Sequence, residues 1–157
     1  MKKFFAFILA LSVVLSLSVT AFAAEEPSGY TVVLSGQALD LRELPMAPYA
    51  QGDTVMVPLR KVAEALGYSV GWDAKTGTIT VEDAYTQKAF LSNASAAVVF
   101  EGKLQIIDLS RTVETAVPTV IHDGCTYVPA EFFREFFNDV AVDGTVITIA
   151  PSMSEIQ

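Results

Sequence analysis

"VMVPLRKVAEALGYSVGWDAKTGTITV" (Val55–Val81) decides how this chain folds, because its punctuation divides it into strand, helix and hairpin. Pro58 suits the first helical position, where its missing N–H costs nothing. Leu59, Val62, Ala63 and Leu66 recur at i, i+3, i+4 and i+7, the apolar stripe of an amphipathic helix. Arg60, Lys61 and Glu64 fall on the wet side, and Gly67 offers a left-handed stop. Val70 and Trp72 then alternate along a strand, "DAKTG" (Asp73–Gly77) turns, and Ile79 and Val81 return as the second arm of a hairpin. Period-two alternation places Val70 and Trp72 on one face, expected to be the core, so Trp72 and Tyr68 read as packing residues and not as a stacking platform.

The same order of parts recurs later. "TYVPAEFFREFFN" (Thr126–Asn138) repeats strand, Pro and helix, and "TVITIA" (Thr145–Ala150) matches the Thr/Val/Ile strand "GTITV" (Gly77–Val81). "YTVVLSG" (Tyr30–Gly36) and "AAVVFEGK" (Ala96–Lys103) both read as strands entering a Gly-centred turn. Val32–Val33 then corresponds to Val98–Val99, Gly36 to Gly102, Val57–Pro58 to Val128–Pro129, and Thr80 to Thr148. The expected fold is α+β: antiparallel sheet and hairpins packed on two short helices, built from a pseudo-duplicated unit at about 30–82 and 98–149.

"VPAEFFREFF" (Val128–Phe137) puts four phenylalanines into the second helix. Superposing Pro129 on Pro58 aligns Phe133 with Val62 and Phe137 with Leu66, so these two inherit the core stripe. Phe132 and Phe136 align with Lys61 and Ala65, off that stripe and i, i+4 to each other. They are therefore candidates for binding a partner, with packing against the rest of the domain, or against "IDLSRTVETAVP" (Ile107–Pro118), as the alternative.

The first 23 residues have the layout of a secretory signal peptide: Lys2 and Lys3, an apolar run, then Ala21-Phe22-Ala23 as cleavage site. The rival reading is a retained anchor. Residues 24–29 form a flexible lead-in, 30–150 the domain and 151–157 a tail. Removing the signal, which carries no acid, moves the net charge from −8 to −10. Such a balance argues against nucleic acid or anionic lipid as partner. Cys125 stands alone, so no internal disulfide forms; it is a tolerated thiol or a handle for pairing between chains.

Taken with these motifs, Tyr30–Ile149 resembles the copper amine oxidase N-terminal domain-like (stalk domain) family. The V-P-L-R helix ending in A-L-G, the W-D hairpin and the T-x-T strand carry the resemblance in the first half, and "PTVIHDGCTYVP" (Pro118–Pro129) carries it in the second. The second copy departs from the pattern: Ala130–Glu131 replaces Leu-Arg, Asn138 replaces the helix-ending Gly, and no W-D follows. The resemblance implies a small α+β module whose relatives keep copper and the oxidised tyrosine cofactor in a separate catalytic domain. His122 is the single histidine, too few for a copper site built on several, so neither metal nor cofactor is expected, and no amine oxidase activity.

Other chemistry-bearing groups read as turns. "HDGC" (His122–Cys125) could pair a thiol with a base, but Asp-Gly there makes a hairpin turn. Asp73 with Lys75 and Thr76 is an Asx-type turn with too few carboxylates for Ca²⁺. "NAS" (Asn93–Ser95) matches a glycosylation acceptor and also a turn. Tyr49, in the proline-flanked "LPMAPYAQG" (Leu44–Gly52), is the freer aromatic. The expected function is a secreted or envelope-associated, non-catalytic interaction or spacer module. Its partner would be another exported protein or a second copy, through Phe132, Phe136 or Tyr49. A small carbohydrate- or peptide-binding domain is the second class, and a minimal hydrolase the third.

Overall fold

The structure is a computed structural model that describes residues 29–103 and 109–152, so the expected signal peptide lies outside the described residues, as do most of the lead-in and tail. In chain order the elements are β1 (Thr31–Leu34), β2 (Gln37–Ala38), β3 (Tyr49–Gln51), β4 (Thr54–Pro58), α1 (Leu59–Ala65), β5 (Ser69–Asp73) and β6 (Thr78–Glu82). They continue as β7 (Gln87–Ser92), β8 (Ala97–Gly102), β9 (Ser110–Glu114), β10 (Val120–His122), β11 (Cys125–Pro129), a 3₁₀ helix (Ala130–Phe136), β12 (Asn138–Asp143) and β13 (Val146–Pro151).

Three sheets surround one core. Their strand orders are β12-β13-β1-β2, β10-β11-β4-β3 and β5-β6-β7-β8-β9. The fold is mostly antiparallel with two short helices, as the α+β reading expects; β1 alongside β13 is a parallel exception. β4 and β11 pair antiparallel with Val57 opposite Val128, so the two strand–Pro–helix passages leave from adjacent strands. The leading strands are placed differently: β1 lies between β13 and β2, whereas β8 lies between β7 and β9. The core draws Val32 and Ile147 from one sheet, Val57 and Val128 from the second, and Val81, Leu91 and Phe100 from the third.

α1 follows its sequence reading except at Pro58, which ends β4 with extended backbone (φ −70°, ψ 112°) so that the helix begins at Leu59. Leu59, Val62 and Ala63 are buried, Leu66 packs against the core, and Gly67 takes positive φ (86°). The second helix departs from its own. A 3₁₀ helix has three residues per turn, so i, i+3 and i+6 form its buried row. Ala130, Phe133 and Phe136 fill that row, and Phe132 beside it is buried as well. Phe137, expected in the core, instead ends the helix in the left-handed region (φ 58°, ψ 40°) and is 64% exposed.

Phe132 (2% exposed) and Phe136 (3% exposed), expected on an outward stripe, are therefore core residues of this chain. Their rings lie 6.1 and 5.7 Å from that of Phe100, and Phe136 stacks on Tyr68 at 5.1 Å. The segment expected as a long loop supplies β9. From β9, Arg111 lies over the Phe100 ring at 4.6 Å and pairs with Glu135.

Trp72 corrects a further expectation. It shares a face with Ile79, its cross-strand partner, which is buried, yet Trp72 is 52% exposed. β5 is the edge strand of its sheet, and Trp72 sits next to the turn, where no further strand covers it.

Candidate functional site

An apolar groove of about 490 Å³ opens beside Trp72. One wall is the start of α1, with Leu59, Arg60 and Lys61; the floor includes Val70, Trp72 and Ile79. The other wall is the β10–β11 hairpin, through Ile121, Cys125 and Thr126. Pro58 brings these walls together, since it closes β4 beside Tyr127 and opens α1.

Arg60 fixes the helix wall to the sheet. Its guanidinium donates to the Val70 carbonyl at 2.9 Å and to Glu64 Oε1 at 3.2 Å. The hairpin wall is set by its turn: Asp123 (φ 46°) and Gly124 (φ 76°) both take positive φ, as a two-residue type I′ turn demands. His122 and Cys125 flank that turn as a cross-strand pair. The His122 Nε2 lies 3.2 Å from Asp123 Oδ2, and both side chains are exposed. Cys125 is half-buried and lines the groove. Among the described residues no three metal-ligating side chains gather.

The other turn motifs also have structural partners. Asp73 Oδ1 accepts the Lys75 N–H at 2.8 Å, and Asn93 Oδ1 accepts the Ile121 N–H at 3.0 Å. Tyr49 belongs to β3 and is half-buried, its ring 5.8 Å from that of Tyr127. Burial raises the pKa of both phenols. Tyr49 is not among the residues lining the groove, and neither are Phe132 and Phe136.

The family model described as copper amine oxidase N-terminal domain matches residues 33–150. The chain belongs to that family. What matches is the non-catalytic amino-terminal domain of copper amine oxidases, so membership brings no catalytic machinery with it. A protein from Brevibacillus choshinensis named "Protease inhibitor" is 30% identical over 150 residues, which is 94% of this chain and 42% of that protein. The chain thus spans less than half the length of that relative. No solved structure matches.

Within this copper amine oxidase N-terminal domain, the sequence reading missed the groove and its two rim cations. Lys61 and Arg60 look like ordinary wet-side helix residues when α1 is read alone. No local signal marks the groove, because it depends on β5 lying at the edge of its sheet and on α1 and the β10–β11 hairpin meeting beside it.

Proposed function

We propose that this chain is a non-catalytic, partner-binding module of an exported protein, and that the groove beside Trp72 is its contact surface. The observation that carries the reading is a half-exposed tryptophan flanking an apolar cavity. Other large apolar side chains are also exposed, Tyr85 and Phe137 among them, but Trp72 is the one that borders this apolar cavity, which favours binding over simple spacing. Export is supported by the basic start, apolar run and A-x-A triplet at the amino terminus. The recurrence of strand, Pro, helix and hairpin supports an internal duplication whose second copy has specialised in packing.

A photoreactive benzophenone side chain at position 72, compared with one at exposed position 85, tests the reading in the exported full chain. A defined protein adduct from position 72 alone supports it. Equal adducts from both positions, or none from either, count against it.

The relative named as a protease inhibitor favours a second, narrower reading, in which the bound partner is a protease. Titrating the chain against serine, cysteine, aspartic and metallo-proteases tests it. Stoichiometric loss of one activity, weakened by Trp72→Ser, supports inhibition; full activity of all four removes it.

A further inference from the structure

The groove lies between two edge strands whose open backbone is not equally free. β10 is the outer strand of its sheet, but its outward side is already engaged by the turn after β7. Ile121 N–H donates to Asn93 Oδ1 at 3.0 Å, and Thr119 N–H donates to the Ser95 carbonyl at 2.9 Å. β5 is different. Its Val70 carbonyl points away from β6, because the Arg60 guanidinium reaches it at 2.9 Å.

In an antiparallel ladder the N–H and C=O of one residue point to the same side, and that side alternates along the strand. The Trp72 N–H and C=O therefore face outward together with those of Val70. The turn agrees with this parity, since the Asp73 carbonyl faces inward to accept the Gly77 N–H at 2.8 Å. An outward, unpaired main-chain site thus lies along an apolar cavity.

The charge around it is selective. Among the described residues that line the groove, Arg60 and Lys61 are the charged ones; Arg60 is already paired with Glu64 at 3.2 Å, so Lys61 is the cation left to a ligand. The chain as a whole has a net charge of −8. Lys61 forms no ion pair among the described residues. A local cationic rim on an acidic protein selects an acidic partner, and the same net charge repels a second copy.

We propose that β5 accepts an extended strand from another protein, with apolar side chains in the groove and acidic ones against Arg60 and Lys61. This rests on the partner-binding reading above and specifies the partner. Two main-chain bonds form at Trp72, and alternate side chains of the added strand enter the cavity beside Val70 and Ile121. An incoming carboxylate competes with Glu64 and with the Val70 carbonyl for Arg60, and release of that carbonyl frees a further main-chain acceptor. A helical ligand could not use these groups, since its own backbone bonds are already made.

Trp72 is the chain's single tryptophan, so its emission reports the groove directly. The probes are an alternating Glu-Val heptapeptide, its Lys-Val counterpart, and two Glu-Val versions N-methylated at odd or at even residues. The expected result is a blue shift with the acidic peptide and about tenfold weaker binding of the basic one. Methylation of one set of alternate residues should abolish binding and methylation of the other should spare it, because only one set faces β5. The double variant Arg60→Gln/Lys61→Gln should weaken the acidic peptide by about tenfold. Should that variant fail to fold, the methylated pair still decides the matter. No shift, or equal binding of the two methylated peptides, overturns strand addition. If crosslinking from position 72 persists in that case, partner binding stands and only this mode of binding falls.

Discussion

The Nδ2 of Asn138 donates to the Tyr68 hydroxyl at 2.8 Å, joining residues that end the two helical passages of the chain. The same amide donates to the Phe133 and Phe136 carbonyls at 3.0 and 3.1 Å. One buried side chain thus satisfies carbonyls at the end of the 3₁₀ helix, where intrahelical donors have run out. Burial raises the Tyr68 pKa, so its hydroxyl stays protonated and also donates to the Phe136 carbonyl at 3.4 Å. Asn138→Ala leaves several buried acceptors bare and should cost about 2–3 kcal/mol in urea unfolding. Tyr68→Phe removes one bond of this set and should cost about 1 kcal/mol. The two costs should add to more than the double mutant's loss, because the residues share partners. Full additivity would mean that the network does not act as a unit.

The four phenylalanines of the second helix should separate in the same measurement. Phe136→Ala removes a ring packed between Phe100 and Tyr68 and should cost about 3–5 kcal/mol. Phe132→Ala belongs in the same range, since it too is buried against Phe100. Phe137 is largely exposed and holds φ at 58°, a conformation that costs a non-glycine residue about 1–2 kcal/mol. Phe137→Gly should therefore raise the urea midpoint by the equivalent of about 1 kcal/mol. A loss of stability there would show that its remaining contacts outweigh the backbone strain.

These residues also mark where the sequence was readable. α1 was legible because its apolar stripe, Pro58 and Gly67 all point to one 3.6-residue period. The Asp123–Gly124 turn was legible because its chemistry demands positive φ. The second helix was not, because Phe occupies every candidate row and the pattern no longer distinguishes three residues per turn from 3.6. Trp72 shared the face assigned to it, but coverage of that face depends on β5 being an edge strand. Sheet order is a non-local property, so neither the groove nor its cationic rim could be read from spacing.

Gly124 sets the hairpin that forms the groove's far wall. Its φ of 76° needs no rearrangement for glycine but strains any residue with a Cβ. No atom lies near the position a Cβ would take, so the cost of Gly124→Ala is conformational and not steric. The expected loss is about 1–2 kcal/mol. Asp123→Asn should be nearly neutral by comparison, because Asn tolerates the left-handed region and the exposed pair with His122 contributes little. A large loss for Asp123→Asn would assign that side-chain contact a structural role.

Acid should loosen the turn between β6 and β7 through Asp83. Burial raises the pKa of this carboxylate, but hydrogen bonds from the Thr86 hydroxyl and from the N–H groups of Thr86, Gln87 and Tyr85 outweigh burial. The N–H contacts are 2.6 Å for Thr86, 3.1 Å for Gln87 and 3.0 Å for Tyr85. The folded pKa therefore lies below the ordinary value of 3.8. A depressed carboxylate contributes its stability in full above the unfolded pKa and loses it as pH falls through the folded one. Asp83→Asn should be less stable than wild type at pH 7, by about 0.5–1 kcal/mol once solvent screening of this mostly exposed turn is allowed for. The gap should close as pH drops below about 4, because wild type then loses the charge that the variant never had. Urea midpoints of both proteins from neutral to acid pH measure it directly. A gap that stays constant into acid would mean that Asp83 holds the turn by shape alone, with its charge contributing nothing.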